Sequence, residues 1–257
     1  VVERCPDKTE VEGSIPSTRI MKKLFIIILY GWLVASTLFV FAAVNYEPKA
    51  RAIVLMSLIG LVLVWITLLG GLMYFGRARF KIWLDRWSLA QGKKFFFFAT
   101  GLALLEEAIT TLMSNLAPAF GVKVGEAYLT ASTNYLDVIF LHSVIVFLPS
   151  FLVWTRFLKR YSFTPFSVFL TFGITGLIME AGTFGLQHLA EFGLWIFVYG
   201  LMVYLPAFVV YNPVLPKPLW RHYFYAIFFS VLGGMIVAGL IYLFFSGHPA
   251  NHFIMVL

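Results

Sequence analysis

The chain has 257 residues, of which 61% are hydrophobic and 12% charged, with a mean hydropathy of +0.89 and a formal net charge of +7. Soluble domains carry about a quarter charged residues, so this composition excludes an ordinary soluble globule and specifies a polytopic membrane protein. The positive charge does not signal nucleic acid, because the basic residues fall in short loops between apolar runs and not along one face; the lone cysteine, Cys5, excludes an internal disulfide and a cysteine metal cluster.

Val1–Ile20 is the only extended polar segment, and it precedes the run MKKLFIIILYGWLVAS. Permitted codons for Cys5–Thr9 (CTGTC-CTGATAA-GACAG) and for Glu12–Pro16 (GAGGG-TTCGATT-CCCTC) close two stems in one reading frame, as the anticodon and T arms of a transfer-RNA gene do. The expectation is that residues 1–20 are a non-native or disordered leader, that Met21 is the initiator, and that residues 21–257 form a single integral membrane domain.

A helix rising about 1.5 Å per residue needs about 20 apolar residues to cross a bilayer, and about seven such runs follow. Leu24–Val44 is the first, preceded by Lys22 and Lys23, and Ala52–Phe75 the second. Between Arg77 and Lys94, Phe80, Trp83, Leu84 and Trp87 recur at i, i+3, i+4 and i+7 among six basic residues, which predicts an amphipathic helix lying in the headgroup region. Phe95–Asn115 is the third span; Leu116–Thr133, with Pro118 and two glycines, is an outer or partly re-entrant loop. Asn134–Trp154, Pro165–Gln187, Leu194–Tyr211 and Tyr223–Ser246 complete the set, with a turn at His188–Gly193. Lys22, Lys23, the Arg77–Lys94 stretch, Arg156, Lys159, Arg160, Lys217 and Arg221 fall on one side, leaving Lys49, Arg51 and Lys123 on the other. The positive-inside rule then sets a cytoplasmic N-terminus and an outer C-terminus in the cell membrane.

Two segments recur in the same order. TGL precedes Glu107-Ala108-Ile109-Thr110 in span three and Glu180-Ala181-Gly182-Thr183 in span five; Val146–Trp154 matches Val203–Tyr211, with Pro149 opposite Pro206. This pattern predicts a tandem duplication of a helical hairpin, spans three–four and five–six, related as parallel repeats.

The chemistry concentrates in span three. A carboxylate at mid-membrane depth costs at least about 2–3 kcal/mol, so the adjacent Glu106 and Glu107 call for a function or a partner. Thr100, Glu107, Thr111 and Ser114 share one face of that helix; Gly173, Gly176, Glu180, Thr183 and Gln187 share another on span five, where the glycines permit close helix approach. His142 and Glu180 lie at similar depths below the outer ends of their spans. Glu106, Glu107, His142, Glu180, Thr111, Asn115 and Thr183 are therefore the candidate proton- or substrate-binding residues. The competing reading is a buried hydrogen-bonded lock between helices, with His142 a satisfied buried histidine and Asp137 a helix-start carboxylate.

The glutamate pair resembles that of the CAAX-protease and bacteriocin-processing family, but the EExxxR pattern places an arginine where this chain has Thr111. It is also similar to the PxE(E/D) motif of integral-membrane lycopene cyclases, whose proline position is Leu104 here. No P-loop, GxGxxG, HExxH or nucleophile elbow is present, and no cofactor or metal is specified. The expected function is proton-linked transport of a small or lipid-like solute. The alternatives are a membrane-embedded acid–base enzyme acting on an isoprenoid or other apolar substrate, and an assembly protein with a polar lock.

Overall fold

With no water in the hydrocarbon to satisfy peptide groups, an apolar chain of this kind must pair its backbone within helices. The computed structural model describes residues 16–44 and 46–248, and among them there are nine α-helices and no strand. They are α1 (Pro16–Ala43), α2 (Pro48–Ser57), α3 (Gly70–Asp85), α4 (Gln91–Asn115), α5 (Tyr135–Leu141), α6 (Val144–Leu158), α7 (Pro165–Phe184), α8 (Phe192–Val210) and α9 (Trp220–Phe245). A π-helical segment, Leu58–Leu69, joins α2 to α3 without a break, and 3₁₀ turns occupy Ala117–Phe120 and Leu186–Glu191. Six helical stretches are long and apolar enough to cross a bilayer, and α5 with α6 makes up to a seventh crossing. The chain is a multi-pass membrane helix bundle. Most of the expected leader lies outside the described residues; α1 already begins at Pro16, before Met21.

Helix starts follow local chemistry. Thr164 caps α7 by accepting from the Ser167 amide at 3.1 Å, with Pro165 in the first turn, where its missing N–H costs nothing. Asn134 caps α5 by accepting from Leu136 N at 3.1 Å, and the Glu47 carboxylate accepts from Ala50 N ahead of α2.

Burial sets the layers. In the most apolar window of each span, 78% of residues are buried for the stretch ending in α8, against 11% for α1 and 17% for α9. So α8 is the central post and α1 and α9 face lipid. Glycines bring α7 onto α8: a Cβ on Gly173 would lie 2.6 Å from the Ile196 carbonyl oxygen, and one on Gly200 would meet the Phe169 ring at 2.6 Å. Trp65, Trp154, Phe95, Phe151, Phe163 and Phe172 are the largest fully buried side chains and fill the space around them.

Three sequence expectations change. The run after Arg77 is not a separate in-plane helix: its first part is the continuation of span two, a single helical stretch Pro48–Asp85 of 38 residues. The end of that stretch is held upright against α8, where Lys81 Nζ donates to the Val209 carbonyl at 2.8 Å and Arg77 stacks 4.3 Å over Tyr74 and 5.6 Å over Phe208. Span four is broken at His142–Ser143 with a bend of 47°, because His142 leaves the helical region at φ −137°, ψ −77°. The bend does not lie at Pro149, which sits inside α6. Finally, His188–Gly193 is not a simple turn; Gly185, at φ 116°, reverses the chain into the 3₁₀ turn that runs directly into α8.

Contacts gather the basic ends at one end of the bundle. Lys22 Nζ lies 5.8 Å over the Phe166 ring, the Thr155 hydroxyl donates to Gly92 O at 3.5 Å, and Ser162 N donates to Pro216 O at 2.9 Å. At the opposite end, α2 and the loop after α4 share a small core of their own: Ala52, Met56, Met113, Ala117, Val122 and Ala127.

Candidate functional site

The residues singled out on α4 and α7 meet in a cavity of about 360 Å³. Glu106, Glu107 and Thr110 enter from α4, Glu180 and Thr183 from α7, Tyr199 and Trp195 from α8, and His142 and Ser143 from the break between α5 and α6. The loop before α5 closes the remaining side with Tyr128, Leu129, Thr130 and Ala131.

Glu106 and Glu107 are 4% and 6% exposed, so neither carboxyl is solvated by bulk water. Glu107 Oε2 accepts from the Thr110 hydroxyl and from the Thr130 hydroxyl, both at 3.1 Å. Ser143 and the neighbouring Glu106 also lie against that carboxyl. Glu180 accepts from the Tyr199 hydroxyl across the α7–α8 contact. Glycine at 176 makes this bond possible, since any Cβ there would occupy the Tyr199 ring. Buried polar groups of this kind are expensive unless hydrogen-bonded, and both carboxyls are.

The helix break serves the same site. The His142 imidazole Nδ1 lies 2.8 Å from Ser143 Oγ and the ring stacks on Phe184 at 6.2 Å, so both residues at the bend turn their side chains toward the cavity. Non-helical backbone at this depth is tolerated where it lines a cavity. The short α5 is moored to α4 by the Tyr135 hydroxyl, which donates to Leu104 O at 2.6 Å. At the outer edge Glu191 Oε2 takes Trp195 Nε1 at 2.9 Å and faces His188 Nδ1 at 3.0 Å. The π-helical segment contributes Leu61 to the wall and locks onto α8 through Trp65 Nε1, which donates to Val198 O at 3.1 Å; π geometry of this kind is concentrated at functional sites.

Of the seven sequence candidates, Glu106, Glu107, His142, Glu180 and Thr183 line one cavity. Thr111 and Asn115 do not. The Thr111 hydroxyl is buried without a hydrogen-bond partner. Asn115 Nδ2 donates to Thr111 O at 2.9 Å and to Thr133 O at 2.8 Å, which ties the loop after α4 to the end of that helix. Ser114 works beside it, its hydroxyl accepting from Leu129 N at 2.9 Å. Reading the sequence alone missed Tyr199, Thr130 and Ser143. Tyr199 had a legible sign, a phenol beside Gly200 in a span otherwise short of polar groups; Thr130 had none, since the path of its loop depends on tertiary packing.

Chemically, the cavity presents carboxyls and hydroxyl donors on one side and the apolar or aromatic surfaces of Phe147, Phe184, Val198 and Trp195 on the other. Among the described residues no three His, Cys, Asp or Glu side chains gather closely enough to hold a metal ion. Compared with family models, curated proteins and solved structures, the chain matches none.

Proposed function

We propose that the chain is a proton-linked carrier of a small or lipid-like solute, with the α4–α7–α8 cavity as its binding site. The observation that carries this reading is the convergence of Glu106, Glu107 and Glu180 from two different helices on one cavity within a multi-pass bundle. Intramembrane carboxyls that face the bundle interior or a cavity are the usual material of proton relays. Glu106 and Glu107 act as a proton-sharing pair, Glu180 with Tyr199 as the second station, and His142 and Thr183 as polar contacts for solute. The broken span beside the cavity matches the discontinuous helices from which carriers build their sites.

In this reading the basic end of the bundle faces the cytoplasm, the N-terminus lies inside and the C-terminus outside, and the cavity sits in the outer half. Reporters fused after Lys94 and after Leu257 should report the cytoplasm and the outside. The hairpins α4–α6 and α7–α8 are then parallel repeats, Glu107 and Glu180 being counterparts, and residues 21–257 are the working domain. The test is solute-dependent proton movement in proteoliposomes loaded with a pH dye. Wild-type protein should show it, and Glu107→Gln and Glu180→Gln should lose it while remaining folded; identical traces from all three proteins would overturn the reading.

A second reading is an acid–base enzyme on an apolar substrate, favoured by the different surroundings of the two carboxyls: Glu107 among hydroxyls, Glu180 against a phenol. It predicts turnover of a lipid extract in detergent, where no gradient exists.

A further inference from the structure

At the basic end, α6 and α9 form a second cavity, of about 550 Å³, remote from the carboxyls. The two helices touch where Ser150 Oγ donates to Ser230 O at 3.3 Å and where a Cβ on Gly233 would lie 2.7 Å from Pro149 Cβ. From that contact the groove opens toward Arg156, Arg160 and Arg221. Among the described residues no carboxylate pairs with any of these three guanidiniums, although Lys81 on α3 does find Asp85 at 3.5 Å. The groove above them is apolar and open to the side: Tyr225, Phe229, Leu232 and Ile236 line it and are each more than a third exposed. Its floor is rigid, because His222 accepts from Leu219 N at 3.0 Å and stacks on Tyr161 at 4.0 Å.

We infer that this groove is a binding site for an anionic phospholipid, with the headgroup phosphate held by Arg156, Arg160 and Arg221 and one acyl chain lying along the exposed face of α9. The charge pattern selects the ligand. Three forked donors around one opening suit phosphate oxygens, and a cation would be repelled. The apolar continuation selects a lipid over a free anion: from Arg221 to Ile236 the α9 wall runs about 22 Å at 1.5 Å per residue, more than enough to flank the roughly 15 Å of hydrocarbon in one leaflet. Basic pockets between spans at the cytoplasmic surface recognise anionic headgroups for these reasons. The site is independent of what the carboxyl cavity does.

The experiment is thermal unfolding of the full chain in neutral detergent, with phosphatidylglycerol, phosphatidylcholine or inorganic phosphate added. Phosphatidylglycerol should raise Tm by several degrees, and phosphatidylcholine and inorganic phosphate by less than one. Arg156→Gln/Arg160→Gln/Arg221→Gln should lose the response, and Lys23→Gln/Arg79→Gln/Lys93→Gln, which removes as many charges elsewhere at that end, should keep it. Should the first triple variant fail to fold, Ile236→Trp, which fills the groove and leaves the arginines intact, must reduce the phosphatidylglycerol response at least threefold. Equal shifts with both lipids, a full response to phosphate alone, or an undiminished response in the groove variants would overturn the assignment.

Discussion

Glu107 and Glu180 reach the same cavity from two helical hairpins, one of α4 with α5–α6 and one of α7 with α8. In the second hairpin the helices are pressed together by Gly173, Gly176 and Gly200, the connection is a six-residue 3₁₀ turn, and the returning helix is unbroken. In the first, a loop of some twenty residues intervenes and the returning span breaks at His142–Ser143. The difference lies in where each carboxyl finds its donor. Glu180 is served from the facing helix, by Tyr199, whereas Glu107 takes a donor from its own helix, Thr110, and one from the long loop, Thr130. The loop thus supplies both a wall and a hydrogen bond, and the tightly packed hairpin supplies the fixed surface against which the cavity is formed.

The comparison breaks most sharply at the carboxyls themselves. Glu107→Gln and Glu180→Gln keep acceptor oxygens in place but cannot carry a proton, so each should reduce proton-linked activity by at least about tenfold with Tm unchanged or raised. Proteoliposome flux measured beside unfolding in detergent checks both halves of that statement. Next in size is the glycine contrast. Gly173→Ala forces a methyl group onto the Ile196 backbone and should destabilise by about 1–3 kcal/mol, as overpacking does. Gly101→Ala, on the lipid-facing side of α4 with nothing within 4 Å of the added Cβ, should be neutral or stabilising by up to about 1 kcal/mol. Equal Tm shifts for the pair would mean that the second hairpin is not the tighter one. Tyr199→Phe removes only the donor to Glu180 and should cut activity about fivefold to tenfold, the worth of about 1–1.5 kcal/mol of hydrogen bonding. The smallest effect belongs to Asn115→Ala, which unties the long loop from α4. A loss of about 1 kcal/mol is expected, with proteolysis in the 116–134 loop increasing before any loss elsewhere.

Much of this was legible in the chain. The apolar runs announced the spans, because a bilayer demands length and hydrophobicity together, and the glutamates pointed to the cavity they come to line, because charge at depth needs polar surroundings. Gly173 and Gly176 told that α7 would approach a neighbour closely, although not that Tyr199 would fill the space. The aromatic periodicity around Phe80 and Trp83 misled: the same spacing serves a helix lying in the interface and one standing through it, and only the anchors from Lys81 to Val209 and from Arg77 to Phe208 decide between them. The break at His142–Ser143 left no proline or glycine to betray it. It is fixed from outside, by α5 bonding to α4 through Tyr135 while α6 packs on α9.

That break also has a mechanical side. Helix α6 has 15 residues and is therefore about 22 Å long, with Ser143 at one end beside the carboxyls and Arg156 and Arg160 at the other beside the lipid-facing groove. A rod pivoted at one end multiplies small angles. A swing of about 10° at Ser143 displaces the arginines by about 4 Å while shifting the hydroxyl near Glu107 by only a fraction of an ångström, from the same rise per residue. The geometry is that of a lever with its fulcrum at the cavity, so a change of angle at the break is felt at the basic end and hardly at all beside Glu107.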